Sequence, residues 1–219
     1  MIAIRTRRAL LLAAPVFYFA AIRPRLLGWG ASRQERHQPL PGDDLIPARW
    51  QTTRGITISA SAEEIWPWLV QIGYGRGGWY SSDRLERRVG AGDFVEGGSA
   101  KRIIPELQRL AVGDTVALSP AGGLTVEVLE PARALVLHYR MNLLTAAQAH
   151  DGDPAILDWT WAFVLTPVDE TSCRLLVRVR AHYRPSWLRP LMPLLLEPIH
   201  FLMERKMLHT IEQRARRRQ

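Results

Sequence analysis

The sequence has one cysteine, no long apolar run and no repeats, and each of these absences excludes a class of protein. The single cysteine, Cys173, rules out an intramolecular disulfide and leaves no thiolate set for structural zinc. The longest uncharged apolar run covers 9–22, which as a helix spans about 21 Å, less than the ~30 Å hydrocarbon core of a bilayer. Without self-similarity at a period of about 20–50 residues, solenoids and propellers are excluded as well.

Acidic residues are scarce at both ends of the chain, so the net charge of +8 is concentrated at these ends. Residues 1–28 carry +5 and residues 212–219 carry +3, so the body between them is neutral. A nucleic-acid-binding domain presents basic residues on its folded surface, so we expect no nucleic-acid partner. Basic ends suit an anionic membrane surface or flexible tails. With 47% hydrophobic and 23% charged residues over its 219 positions, the chain is expected to contain one globular domain.

The N-terminal apolar run has three interpretations that the sequence leaves open. It is a secretory or twin-arginine signal, an uncleaved anchor flanked by arginines, or a helix packed on the domain. The run ends in bulky residues where a signal needs a small-x-small cleavage site, which favours the anchor and predicts membrane association through 9–22. We therefore divide the chain into a hydrophobic anchor or signal-like segment over 1–28, an extended linker over 29–50, a folded domain over 51–213 and a basic tail over 214–219. Because 1–28 supply no predicted strand or helix of the domain, their deletion is expected to leave it folded.

Hydrophobic periodicity divides the body into helical and strand segments. After a first strand at 52–59, Ser61 and Glu64 have the spacing of a capping box and predict a helix that Pro67 interrupts. A second short helix is predicted over 83–90. From 114 to 184 apolar residues alternate, which predicts an antiparallel sheet with one face toward solvent, and an apolar stripe predicts a long helix over 193–213. The expected fold is α+β, with a curved antiparallel sheet wrapped around the C-terminal helix and a cavity between them.

The glycine-rich segment at 73–78 matches GxGxxG in letters, but it follows a helix rather than a strand. Its context does not fit a dinucleotide site, and we expect no cofactor. We predict instead a glycine-rich lid beside the cavity mouth, where Trp79 and Tyr80 close over an apolar guest.

The candidate site residues fall into two groups. Catalysis has only weak candidates near the lid, namely Asp83, Glu106 and Arg76, each of which also fits a cap, turn or surface role. His200 and Glu204 lie one helical turn apart, but without a third ligand they predict no metal site. Aromatic and thioether side chains are the candidates for ligand contact, although ordinary core packing also explains buried aromatics. These candidates are Trp66, Trp79, Tyr80, Tyr139, Trp159, Trp161, Phe163, Met203 and Met207.

Several short motifs in 37–213 resemble a known family. They are Leu40-Pro-Gly-Asp43, the stretch EIWPWLVQIG at 64–73, GRGGWYSSD at 75–83, Ile103-Ile-Pro-Glu106 and Val112-Gly-Asp114. The chain in this respect is similar to bacterial members of the SRPBCC superfamily, the START-like helix-grip proteins, in their polyketide cyclase or dehydrase-like branch. The resemblance implies the helix-grip fold, and it implies little about activity, because such proteins include lipid carriers, cyclases, hydroxylase domains and ligand sensors.

Three function classes follow from these observations. The leading hypothesis is binding of a hydrophobic small molecule or lipid in the internal cavity, near a membrane. The alternatives are a cyclase or aromatase-type enzyme acting on a polyketide-like substrate, and a non-catalytic membrane-surface adaptor. An inward carboxylate with a raised pKa would favour the enzyme, whereas an apolar interior without a buried acid or base would favour binding.

Overall fold

A computed structural model describes residues 17–81, 98–145, 147–188 and 191–216 of the chain. Its six strands form one antiparallel sheet in the order β1-β6-β5-β4-β3-β2. Strands β2 to β6 each pair with the next strand in the chain and form a meander. Strand β1 pairs with β6 at one edge of the sheet. The strands are β1 Trp50–Ile58, β2 Thr115–Ser119, β3 Gly122–Glu130, β4 Ala134–Asn142, β5 Ile156–Asp169 and β6 Ser172–Arg184.

The helices lie before, between and after these strands. A π-helical turn, Tyr18–Ile22, continues into α1, and two short 3₁₀ helices cover Pro105–Gln108 and Ser186–Leu188. The predicted capping box is confirmed: the Glu64 backbone N–H donates to Ser61 Oγ at 3.3 Å, and the Ser61 N–H donates to Glu64 Oε2 at 2.8 Å. The second helix predicted after the first strand, over 83–90, lies outside the described residues. The α-helices are α1 Arg23–Leu27, α2 Arg33–His37, α3 Ala62–Val70 and α4 Leu191–Arg216.

The long helix α4 and the inner face of the sheet share one hydrophobic core. Met207, Leu208 and Ile211 of the helix are buried in the same cluster as inward residues of the strands. Register shifts interrupt β2–β3, β3–β4 and β5–β6 pairing, and such bulges bend and twist a sheet. The predicted α+β helix-grip fold, a curved antiparallel sheet around a long C-terminal helix, is confirmed.

The outer face of the sheet is less open to solvent than the alternation predicts. Arg178 points outward from β6, yet it is only 2% exposed. Its guanidinium donates to Thr53 Oγ1 at 3.0 Å, to the Gln38 carbonyl at 2.9 Å and to Asp43 Oδ2 at 2.5 Å. Residues 35–43 thus cover this part of the outer face and are bonded to it.

Residues 29–50 differ from the extended linker predicted from their prolines and polar composition. They contain α2, which begins at a second capping box between Ser32 and Glu35. Glu35 in turn forms an ion pair with Arg174 of β6, and Arg174 holds the pKa of that carboxyl below its usual range. Local capping and charge pairing therefore fold this segment against the sheet.

Residues 17–28 pack on the domain rather than stand apart from it. Arg23 forms an ion pair with Glu197 of α4 at 2.9 Å, and the Leu26 carbonyl accepts from Arg54 Nε at 2.8 Å. These contacts oppose the expectation that the whole of 1–28 is dispensable, because loss of 17–28 would remove the counter-charge of the buried Glu197 and the acceptor of Arg54 Nε. Among the described residues no helix is both long and apolar enough to cross a bilayer. Membrane association through 9–22 stays a prediction, and 1–16 lie outside the described residues.

Candidate functional site

A cavity of about 300 Å³ lies between the inner face of the sheet and α4. Strands β4, β5 and β6 form its floor, Trp50 of β1 forms one side, and α4 forms the roof. Its described wall residues are mainly aromatic and aliphatic, and they are Trp50, Trp79, Ser81, Leu118, Met141, Leu157, Trp159, Trp161, Val179, Ala181, Tyr183, Glu197, Ile199, His200, Met203, Glu204 and Met207.

Three indole rings line one side of the cavity in a continuous series. Trp79 stacks on Trp161 with ring centroids 5.3 Å apart and planes inclined by 14°. The Trp159 and Trp161 ring centroids are 5.7 Å apart, because the two residues are two positions apart on β5 and share its inward face. A wall of this kind offers flat apolar surface on which a planar or flexible apolar molecule can stack.

The roof of the cavity carries a buried ion pair. Glu204 of α4 binds the Arg54 guanidinium, and both side chains are almost fully buried. Glu204 also accepts a hydrogen bond from Trp161 Nε1 at 3.1 Å. Arg54 lies 5.4 Å from the Phe201 ring centroid, and its Nε donates to the Leu26 carbonyl. The carboxylate and the guanidinium are therefore neutralised within the wall.

A second carboxylate on the roof, Glu197, is paired in the same way. Arg23 Nε and Nη2 donate to its two oxygens at 2.9 Å, and Trp50 Nε1 donates at 2.5 Å. Tyr18 from the N-terminal segment adds a hydroxyl contact at 3.4 Å. Glu197 is thus a wall residue whose charge is compensated by an element outside the sheet and α4.

His200 lies between these two carboxylates on the roof. Burial lowers the pKa of His200 to about 4, the Arg54 charge acts in the same direction and Glu204 opposes them. The imidazole is therefore neutral near pH 7. Arg54 Nη1 lies 3.1 Å from Nδ1, and because a guanidinium only donates, Nδ1 is the acceptor and the proton is assigned to Nε2.

Tyr183 adds a second neutral polar group to the wall. Burial, reinforced by the Glu197 carboxylate, raises the pKa of Tyr183 to about 12, so that the phenol stays protonated. The wall thus combines apolar surface with paired or neutral polar groups.

The predicted ligand-contact residues divide between the cavity and the core. Trp79, Trp159, Trp161, Met203 and Met207 line the cavity. The others lie elsewhere in the described part of the chain: Tyr80, Tyr139 and Phe163 are buried in the hydrophobic core, and Trp66 is partly buried against it. Tyr80 accepts a hydrogen bond from Gln71 Nε2 at 2.9 Å.

The predicted catalytic candidates do not form a site in the described residues. Glu106 is exposed on the first 3₁₀ helix, and Asp83 lies outside the described residues. Arg76 donates to the carbonyls of Val70, Ile72 and Leu107 at 3.1–3.2 Å, and burial lowers the pKa of its guanidinium. Arg76 therefore binds carbonyls at and just beyond the end of α3 and one carbonyl of the first 3₁₀ helix, which is a capping role.

The glycine-rich segment forms a tight hydrogen-bonded turn next to the cavity. Gly73 and Gly78 exchange two backbone hydrogen bonds, and the Gly77 N–H donates to the Gln71 carbonyl at 2.7 Å. Gly78 has φ +74° and a backbone neighbour 2.9 Å from where a Cβ would stand, which explains the need for glycine there. Trp79 follows this turn onto the cavity wall, while movement of the segment as a lid stays a prediction.

Most of the other wall residues were missed from the sequence, among them the polar residues Glu197 and Tyr183, while His200 and Glu204 were considered only as metal ligands. Arg54, which supports the wall, was missed as well. One signal was available, because Glu197, His200 and Glu204 are spaced i, i+3 and i+7 and share a helix face with Met203 and Met207. Polar groups on the apolar face of a helix indicate buried partners. In the described residues no three histidine, cysteine or acidic side chains form a metal-binding group.

Comparison with known proteins yields similar folds only. No protein-family model matches the chain, and no curated protein matches it. Protein MLL2253 from Mesorhizobium loti is similar at 18% identity and a TM-score of 0.43, over 78% of this chain and 99% of that one. Norcoclaurine synthase from Thalictrum flavum, in complex with dopamine and hydroxybenzaldehyde, is similar at 12% identity and a TM-score of 0.44, over 78% and 88%. DynU16, from the dynemicin biosynthetic locus, is similar at 14% identity and a TM-score of 0.39, over 74% and 47%. These similarities concern the fold and carry no conclusion about a ligand or a reaction.

Proposed function

We propose that this protein is an SRPBCC-type helix-grip protein that binds an uncharged hydrophobic small molecule or lipid in its cavity without transforming it. The observation that carries the proposal is the composition of the wall. Trp79, Trp159 and Trp161 supply stacking surface, and Met203 and Met207 supply adaptable apolar contacts opposite them. A cavity of about 300 Å³ holds a molecule of about two or three fused or linked rings, or a short acyl chain.

A cyclase-type enzyme is the second candidate, because His200 and Glu204 lie on the cavity wall. Both groups are poorly suited to proton transfer at neutral pH. Glu204 is bound to Arg54 and Trp161, and a His200 pKa of about 4 makes the imidazole a weak base. Binding without catalysis is therefore better supported by the wall than acid–base chemistry.

The proposal is tested by titrating the full-length protein with N-phenyl-1-naphthylamine, an uncharged probe whose fluorescence rises in apolar surroundings. We expect saturable binding of one probe per chain, with quenching of tryptophan fluorescence because four indoles line the cavity. The complex is expected to have a Kd in the micromolar range or below, the ordinary range for a largely buried small ligand of this size. A linear, unsaturable response without tryptophan quenching would contradict the proposal.

A further inference from the structure

Three side chains of the cavity wall each carry a buried N–H group without a hydrogen-bond partner among the described residues. These groups are Nε1 of Trp79, Nε1 of Trp159 and Nε2 of His200. Nearly all buried polar groups in folded proteins are paired, and an unpaired donor costs free energy of folding. All three belong to residues of the same wall, and none of the three atoms is accessible to a water-sized molecule, so an acceptor in the cavity reaches one of them once the side chains around it shift slightly.

The two carboxylates on this wall already accept hydrogen bonds from the protein. Glu204 accepts from Arg54 and Trp161, and Glu197 accepts from Arg23 and Trp50. A cationic ligand would therefore have to displace an arginine from a carboxylate. An anionic ligand would enter a low-dielectric space beside two carboxylates, which is costly. These two conditions favour a neutral ligand that accepts hydrogen bonds.

His200 has the most suitable donor of the three. Its ring lies 6.2 Å from Trp161 and 6.4 Å from the ring of Trp50, between the two sides of the wall. Its Nδ1 is occupied by Arg54, which fixes the proton on Nε2 and makes this atom a donor only. The same hydrogen bond orients the imidazole, so Nε2 is the ring atom that can donate to a ligand.

We infer that the cavity selects neutral apolar molecules with a carbonyl-type oxygen, and that His200 Nε2 donates the hydrogen bond to that oxygen. The inference rests on the proposed function, since it names the ligand class of the same cavity. Ketones, quinones and esters share this chemistry, whereas hydrocarbons lack the acceptor and alkylammonium ions lack neutrality.

A matched ligand pair tests the inference on the full-length wild-type protein. 2-Acetylnaphthalene and 2-isopropenylnaphthalene have nearly the same shape and differ in a C=O replaced by C=CH₂. In displacement of N-phenyl-1-naphthylamine, the ketone is expected to bind about tenfold more tightly than the hydrocarbon, the usual effect of one buried hydrogen bond. Equal affinities in the wild-type protein would overturn the inference while the proposed function stands.

Substitutions on α4 test whether His200 is the hydrogen-bond donor to the ketone. His200→Phe is expected to reduce the preference for the ketone to less than twofold, and His200→Gln, which keeps an N–H donor, is expected to retain more than threefold. His209→Phe on the same helix is the control, because His209 contacts Glu212 and Trp29 rather than the cavity. A tenfold preference that survives in His200→Phe would refute the role of His200. Failure of both naphthalenes and of the probe to bind would overturn the proposed function, and this inference with it.

Discussion

Replacing Arg54 by Met is expected to lower the free energy of unfolding by about 3–5 kcal/mol, because it leaves the buried Glu204 carboxylate without its counter-charge. The change also removes the donor to the Leu26 carbonyl and to His200 Nδ1. The His200 ring is buried in the roof of the cavity, where water does not replace the hydrogen bond lost at Nδ1. Urea denaturation followed by circular dichroism measures the effect.

A double variant separates loss of charge balance from loss of packing. Arg54→Met with Glu204→Gln removes both charges, and Gln still offers an acceptor to Trp161 Nε1, so we expect most of the lost stability to return. Arg133→Met is the control, since Arg133 pairs with Glu130 on the surface and such pairs contribute less than about 1 kcal/mol. If the double variant is as unstable as Arg54→Met, the ion pair is not the cause.

Filling the cavity from β6 is expected to abolish binding while the domain stays folded. Ala181 lines the cavity and lies opposite Trp50 on one neighbouring strand and Trp159 on the other. In Ala181→Phe the phenyl ring extends into space that the ligand needs, so the affinity for N-phenyl-1-naphthylamine is expected to fall at least tenfold. Because the ring enters a cavity rather than a filled core, the loss of stability is expected to stay below about 2 kcal/mol.

Thr166→Phe provides the matched control for this substitution. Thr166 is exposed on β5, so the same ring is added to the surface and probe affinity is expected to be unchanged. An Ala181→Phe protein that is folded and binds the probe as the wild type does would show that the probe binds somewhere other than this cavity.

Local sequence patterns carry most of the fold. Alternation of apolar residues places the strands, because the buried face of a pleated strand recurs every second residue. The capping box at Ser61 places the start of α3, and the apolar stripe places α4. Each of these patterns involves residues that are close in sequence, so it predicts its helix or strand without knowledge of the elements that pack against it.

The charged part of the site depends on partners that are distant in sequence. His200 and Arg54 are 146 positions apart, and Glu197 meets Arg23 across 174. The spacing of His200 and Glu204 was visible, but without Arg54 it indicated only an incomplete metal site. The outer face was misjudged for the same reason, because α2 and Asp43 reach Arg178 only through the tertiary fold.

Native mass spectrometry of the full-length protein, purified from its own host without organic solvent, shows whether the cavity holds a neutral apolar ligand. We expect a population heavier than the chain by one small molecule, which organic extraction releases and which is neutral, apolar and oxygen-containing. The Ala181→Phe protein, purified in parallel, is expected to lack that mass. A wild-type protein that carries no such molecule and takes up neither naphthalene nor the fluorescent probe would show that the cavity is not a binding site for neutral apolar molecules.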